Sequence, residues 1–300
     1  METNKVQKRE IDRSILEILL KDKTTNKNII WATDNYSKYG FSYTADKEIK
    51  IDLITSRHGG IIKPRVEKSK DEQLRRIKQR AEVFTPSWIC NIQNNQIDED
   101  YRKGNSERPW QEYVLFTQLE ITCGEAPYIT SRYDTVTGEY IEVQNRIGIL
   151  DRKLKVVGEN TKRCEDWIKW AHLAVQNVYG FDWQGDNVFI ARENLLFTIA
   201  EHYEAKFGER LETSDLIAFA EIIAWNIWQM DGLKFVIPNS CCTKETEEAD
   251  LFESHIVSKS CEGCKTGDNK KHNGIYCVIM DWKEKKKVRF VDIFNRGKRR

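Results

Sequence analysis

A group of cysteines and one histidine late in the sequence has a spacing that could bind a metal. The candidates are Cys241, Cys242, Cys261, Cys264, Cys277 and His272. Cys261 and Cys264 form a Cys-x2-Cys pair, which can place two thiolates on one tetrahedral ion. Cys277, together with Cys241 or its neighbour Cys242, would complete a closed zinc site, and the histidine could replace one of these ligands. We expect a structural zinc, because the loop offers no acid or base suited to catalysis.

A second candidate site begins where an apolar run ends in an acid and a tight turn. Residues 113–116 are apolar, and Glu120 follows them shortly before Gly124 and Ala126. Glycine lacks a Cβ, so its backbone can approach a ligand closely. The pattern predicts a strand that leads into a ligand-binding turn.

Two further acids each follow a segment that we expect to be a strand. Asp182 ends the short run 178–182, and Asp186 is the alternative at this position. A carboxylate at the carboxyl edge of a parallel strand can accept hydrogen bonds from both hydroxyls of a ribose. Asp231 follows the apolar run 223–228 in the same way.

In this order, the segments resemble the landmarks of amino-methylating DNA methyltransferases, above all the adenine-N6 enzymes of restriction-modification systems. That family has a Phe/Tyr-Thr-Pro segment, which Phe84-Thr85-Pro86 matches. An acid-x-x-x-Gly-x-Gly/Ala turn follows, which residues 120–126 match. The resemblance covers roughly residues 80–235, and it implies an α/β fold with a Rossmann-like methyltransferase domain.

The resemblance also implies a site for S-adenosylmethionine. Phe84-Thr85-Pro86 would close over the methionine end, Asp182 would accept the ribose hydroxyls, and Asp231 would accept the amino group of the adenine. The complete implied set is Phe84, Thr85, Pro86, Glu120, Cys123, Gly124, Ala126, Asp182 and Asp231.

One landmark of the family is missing from this sequence. The family's fourth strand ends in Asp/Asn-Pro-Pro-Tyr/Phe, which holds the target amine and stacks on the flipped base. No such tetrapeptide occurs here, so we assign no catalytic residue and expect a domain truncated before this motif. The predicted function is a DNA modification subunit that needs a second polypeptide or works beside a restriction or specificity subunit. The alternatives are an inactive, zinc-stabilised DNA-binding or assembly component, and an RNA or protein methyltransferase.

The domain organisation that we predict has two parts. Residues 1–80 form an N-terminal α+β extension, and residues 81–300 form the methyltransferase-like domain. Within the latter, residues 130–160 are an insertion and residues 239–278 are a Cys-rich loop.

Composition limits where double-stranded DNA, the predicted partner, could bind. The 48 basic residues nearly balance the 47 acidic residues, so any DNA surface must come from local clusters. Residues 63–80 have an excess of basic side chains, and Arg146, Arg152 and Lys153 are further candidates for phosphate contacts. With no apolar signal segment and no run long enough for a membrane span, we expect a cytoplasmic protein with reduced cysteines and no membrane partner.

Overall fold

A small parallel sheet lies at the centre of the computed structural model. The model describes residues 11–56, 59–103, 108–249 and 254–297. The sheet contains β1 (Gln118–Glu120), β2 (Val178–Asp182) and β3 (Ile227–Gln229), in that spatial order. Both pairings are parallel, so the carboxyl ends of the strands lie at one edge. The chain therefore has the mixed α/β character that its sequence predicts.

Helices lead into β1 and connect the three strands. Their bounds are α4 (Ser87–Arg102), α5 (Trp110–Leu115), α6 (Ile149–Asn160), α7 (Cys164–Gln176), α8 (Gly185–Phe207) and α9 (Thr213–Asn226). Trp167 of α7 is fully buried, as are Leu195 of α8 and Phe219 of α9. Burial of these large apolar side chains against the sheet supplies most of the driving force for folding.

Residues 11–80 pack into the same core instead of forming strands of their own. Their helices are α1 (Arg13–Leu20), α2 (Ile51–Thr55) and α3 (Lys70–Arg80), with short 3-10 helices at 34–39, 41–43 and 65–67. The described residues of this N-terminal extension, which was expected to mix helices and strands, contain no regular strand. Pairing there is limited to isolated bridges, such as Ile30 to Glu48, because two 3-10 helices interrupt it.

The apolar run 113–116 is another difference from the expected secondary structure. It forms the end of α5, and β1 begins only at Gln118. A buried amine explains why the helix can end here: Lys153 Nζ donates hydrogen bonds to the carbonyl oxygens of Val114 and Phe116. These are carbonyls that a helix end leaves without an intrahelical partner.

The proposed insertion 130–160 is an integral part of the core. It starts with a hairpin-like turn closed by a bridge between Tyr133 and Tyr140, and it ends in α6. Two of its three candidate DNA contacts are buried: Lys153 lies under α5, and Arg146 forms an ion pair of 2.6 Å with Glu201. Both residues are buried and form bonds within the fold, so they are not the exposed basic side chains that the prediction required.

The last part of the chain forms a smaller unit against the other side of the sheet. It contains β4 (Lys244–Ala249), β5 (Ser254–Lys259), α10 (Glu262–Thr266), β6 (Val278–Asp281), β7 (Lys286–Arg289) and α11 (Phe290–Gly297). Phe290 packs with Phe181 of β2 and Trp228 of β3 in a second apolar cluster. Of the helices described, none has the length and apolar character that crossing a membrane requires.

Candidate functional site

A cleft of about 580 Å³ opens at the carboxyl ends of β1 and β2. This is where ligands bind in open α/β sheets. Six of the nine residues implied for the cofactor line it, namely Phe84, Thr85, Glu120, Cys123, Gly124 and Asp182. Residues from distant parts of the sequence are therefore brought together at the expected edge.

The turn after β1 is held directly to the end of β2. The N–H of Gly124 donates to Asp182 Oδ2 at 3.0 Å, and the N–H of Cys123 donates to the carbonyl of Phe181 at 2.8 Å. Gly124 has φ +54°, a left-handed conformation that favours glycine. The predicted role of this glycine in a tight turn is confirmed in the backbone.

Asp182 has the environment of a ligand-binding carboxylate. Its Oδ1 also accepts the N–H of Gln184 at 2.8 Å. Burial raises the pKa of Asp182 to about 6, although the N–H donors of Gln184 and Gly124 act to lower it. The group is therefore ionised at neutral pH and protonated in mild acid.

Several acceptor oxygens of the cleft have no donor. Glu120 Oε2, Glu82 Oε1 and Asn187 Oδ1 are buried, and no hydrogen-bond partner is found for them within the described residues. Burial raises the pKa of Glu120 well above its usual range. A bound cation would reverse this effect by favouring the ionised form.

The cleft lining is acidic. Glu82, Glu120 and Asp182 contribute carboxyl groups, and no lysine, arginine or histidine lines the cleft among the residues that the structure describes. Arg76 pairs with Glu82 at 3.3 Å from behind the wall, which leaves two carboxyl groups uncompensated. Such a surface suits a ligand that is cationic and rich in donors, and it disfavours phosphates.

The segment before α4 forms one wall of the cleft. The Phe84 ring lies 3.6 Å from the position that a Cβ on Gly124 would occupy, and Thr85 lines the cleft beside it. Pro86 precedes α4 and lies outside the lining. Asp134 Oδ2 accepts both the N–H and the hydroxyl of Ser87 at 2.7 Å, so an acid distant in the sequence stabilises this helix start.

Ala126 and Asp231 also lie outside the lining. Ala126 is buried within the turn. Asp231 Oδ1 accepts the N–H groups of Leu233 and Lys234 at 2.9 and 3.1 Å, and it thereby closes its own turn after β3. The structure does not bring Asp231 to the cleft, so its role toward adenine stays a prediction.

Sequence reasoning missed several residues that line the cleft. Glu82 and Asn187 supply unpartnered oxygens, and Gln184 bridges Asp182 to Glu82, donating through Nε2 at 3.0 Å to the latter. Asn187 lies in the first turn of α8, where a side chain returns to the strand end. The alternative acid, Asp186, points away and belongs to a buried ion cluster.

The structure brings together a group of side chains that could hold a metal ion, as predicted. Cys241, Cys261, Cys264 and His272 place one ligand atom each within 4.8 Å of one another. His272 Nδ1 lies 3.5–3.7 Å from the three sulfurs, and the sulfurs of Cys241 and Cys264 are 3.6 Å apart. A zinc tetrahedron with Zn–S of about 2.3 Å has very similar edges, about 3.6–3.8 Å. This group could therefore hold a zinc ion.

Local packing favours the same geometry. A Cβ on Gly263 would lie 2.6 Å from the backbone nitrogen of His272 and 2.7 Å from its Nδ1. Only glycine at this position therefore lets His272 approach the cysteines. The N–H of Asn273 donates to Cys261 Sγ at 3.3 Å. Burial acts to raise the pKa of the Cys261 thiol, but hydrogen bonds from the N–H groups of Cys264 and Asn273 lower this pKa to about 6.

Cys277 does not belong to this group, contrary to the sequence-based assignment. Its thiol is buried in the second apolar cluster and donates to the carbonyl of Gln229 at 3.4 Å. Cys242 is exposed and also lies outside the group. His272 takes the fourth position, which is the substitution that the spacing left open.

Comparison of the chain with protein-family models, with curated proteins and with solved structures found no match in any of the three. The functional assignment therefore rests on the chemistry of the cleft and of the Cys3His group.

Proposed function

We propose that the acidic cleft binds S-adenosylmethionine and that the chain is the modification subunit of an adenine-N6 DNA methylation system. The observation that carries this proposal is a lining of carboxyl groups and unpartnered acceptor oxygens without a basic side chain. S-adenosylmethionine offers a sulfonium, an ammonium, two ribose hydroxyls and an amino group, which are cations or donors. A phosphate-bearing cofactor would face uncompensated carboxylates instead.

Different residues of the cleft would contact different parts of this ligand. Asp182 would accept the ribose hydroxyls, and Glu120 would face the positive charge of the ligand with its unpartnered oxygen. Phe84 would cover the bound molecule from the α4 side. When bound, the cofactor supplies the methyl group, and the protein orients it and excludes water.

A partner chain completes the proposal. The sequence contains no Asp/Asn-Pro-Pro-Tyr/Phe segment to hold a target amine, so methyl transfer requires a second polypeptide that supplies one. The purified chain alone should therefore bind the cofactor without methylating duplex DNA. Robust methylation by this chain alone would refute the two-chain arrangement.

Calorimetric titration of S-adenosylmethionine tests the cofactor site. Asp182→Ala should weaken binding at least tenfold, or about 1.4 kcal/mol. Asp166→Ala is the matched control, because this aspartate is exposed at the start of α7 and does not line the cleft. If the parent chain and Asp182→Ala bind S-adenosylmethionine with equal affinity, the proposed cofactor site is wrong.

The Cys3His group favours a second candidate function, a zinc-stabilised DNA-binding or assembly component without cofactor chemistry. This alternative predicts salt-dependent affinity for duplex DNA and no heat of binding with S-adenosylmethionine. A methyltransferase that acts on RNA or protein would instead bind the cofactor and show no preference for duplex DNA. Titrations with S-adenosylmethionine and with duplex DNA therefore distinguish these three candidate functions.

A further inference from the structure

A second cleft, of about 590 Å³, lies where α4, the start of α5 and α6 meet. Its volume is close to that of the acidic cleft, but its chemistry is different. Tyr101, Trp110 and Tyr113 contribute aromatic walls. A cleft of this size with aromatic walls is typical of a site for a small organic ligand.

Unpaired positive charge surrounds the second cleft. Arg102, Arg108 and Lys155 line it and are exposed, and none of them forms an ion pair with any residue in the described part of the chain. The guanidinium of Arg108 lies over the Tyr101 ring, 4.8 Å from its centroid. Three cations that share one rim attract an anion, and no described residue forms an ion pair with them.

The acidic residues of this cleft do not neutralise the rim. Asp98 is already paired with Arg152 at 2.6 Å and accepts the Tyr113 hydroxyl at 2.9 Å. Glu159 is the other acid of the lining, and it is exposed. Among the described residues that line this cleft, basic side chains therefore outnumber acidic ones.

Hydrogen-bond donors beneath the rim also lack acceptors. Arg146 lines the cleft, and its Nη2 pairs with Glu201 at 2.6 Å, whereas its buried Nη1 has no partner in the described residues. The buried hydroxyl of Tyr101 is unpartnered in the same sense. The region is thus short of acceptor oxygens, which is the reverse of the acidic cleft.

We propose that the second cleft binds the phosphate group of a nucleotide-sized ligand. Guanidinium and ammonium groups are the usual partners of phosphate oxygens, and charge-assisted bonds to them are the strong ones. The phosphate could belong to a free mononucleotide or to a nucleotide of a nucleic acid. This inference does not depend on cofactor binding in the acidic cleft.

Titration calorimetry with AMP, with adenosine as the ligand that lacks the phosphate, tests the proposal at low salt. Arg108→Ala and Lys155→Ala should each weaken AMP binding about fivefold or more. Lys162→Ala, which changes an exposed lysine outside the cleft, should leave it unchanged. All three side chains are exposed, so these variants should unfold at the temperature of the parent chain.

A short single-stranded oligonucleotide distinguishes the two sources of the phosphate. Tighter binding than that of AMP, lost in Arg108→Ala and Lys155→Ala, assigns the cleft to nucleic acid. Weaker binding than that of AMP assigns it to a free nucleotide. The proposal is overturned if neither ligand binds, if adenosine binds as well as AMP, or if both substitutions leave the affinity unchanged.

Discussion

At the scale of single residues, Asp182 connects the fold to the proposed cofactor site. Its carboxylate holds the N–H groups of Gly124 and Gln184, so it positions the turn after β1 as well as facing the cleft. A carboxylate that already accepts backbone donors is pre-organised and needs little rearrangement when a ligand arrives. The charge state of this residue should therefore control ligand binding.

Affinity for S-adenosylmethionine should depend on pH around the pKa of Asp182, which is about 6. The ionised form accepts ligand hydroxyls best, so affinity should be constant above this pH and fall in acid by up to about tenfold per pH unit. Calorimetry between pH 5 and 7.5 would measure this. Asp182→Asn should bind weakly at every pH without the inflection; an unchanged inflection would assign the titration to another group.

Zinc content should distinguish ligand cysteines from their neighbours. Cys261→Ser removes a ligand atom and should lower zinc from one equivalent to a small fraction of it, because closed structural sites need all four ligands. Cys242→Ser, next to the ligand Cys241, and Cys277→Ser should both retain the metal. Elemental analysis of protein purified without added metal provides the measurement.

The opposite pattern would contradict this ligand set. Loss of zinc in Cys277→Ser with retention in a His272→Ala variant would restore the assignment that spacing alone suggested. Less than half an equivalent in the parent chain would remove the metal site altogether.

At the scale of elements, the strand over 178–182 was predicted correctly from the sequence, whereas most of the run 223–228, expected to be a strand, belongs to α9. Trp167, Ala171 and Val175 recur at helical spacing, which indicates a helix, and all three are buried in α7. The apolar run 113–116 has no period long enough to separate helix from strand, and the amine of Lys153 decides its ending from a distant position. Long-range partners of this kind leave no local signal.

Because Lys153 of α6 is buried, the free energy of unfolding should depend on pH near neutrality. Burial lowers its pKa to about 7 from an ordinary 10.5. Because the unfolded chain then binds the proton more tightly, the free energy of unfolding should rise by about 1 kcal/mol per pH unit between pH 7.5 and 9 from this group. Denaturant titrations of the parent chain and Lys153→Met would measure the difference.

The exposed neighbour Lys155 serves as the control for that measurement. Lys155→Met should keep the pH dependence of the parent chain, since its amine stays in water in the folded state. If the difference between the parent chain and Lys153→Met does not change with pH, then Lys153 is not titrating in this range.

At the scale of the whole molecule, a buried ion cluster joins residues 11–80 to the central domain. Asp186 Oδ2 accepts from Arg76 Nη2 and from the Tyr36 hydroxyl, both at 2.8 Å, and Lys68 Nζ lies 3.6 Å away. Sequence reasoning treated the basic residues of 63–80 as a surface for DNA. Burial of two of them could not be foreseen, because their acidic partner lies more than a hundred residues away.

Asp186→Asn should destabilise the folded chain by about 3–5 kcal/mol, because it removes the buried carboxylate that pairs with Lys68 and that lies nearest to the Arg76 guanidinium. Burial acts to raise the pKa of Asp186, but the positive charges of Arg76 and Lys68 outweigh burial and hold this pKa well below its usual range. Its contribution is thus present above about pH 4 and lost as the pH falls further. Acid unfolding followed by circular dichroism would show both effects, with Asp166→Asn as the exposed control.

The candidate site shows the same division between what could and could not be predicted. The order of acids and glycine placed Glu120, Gly124 and Asp182 at one edge, because parallel strands share a direction. Spacing could not choose between Cys277 and His272, since both follow Cys264 at reachable distances. Only the packing of Gly263 against His272 decides that choice.

The burial of α8 on nearly all sides restricts how this protein could change in length during evolution. Asp186 points to Arg76, Arg192 Nε donates to the carbonyl of Ile227, and Glu201 pairs with Arg132. Deleting one residue would turn everything beyond it by about 100°, so contacts made by opposite ends of the helix could not survive together. Insertions and deletions should therefore accumulate in the loops around α8, while its 23 residues keep their number.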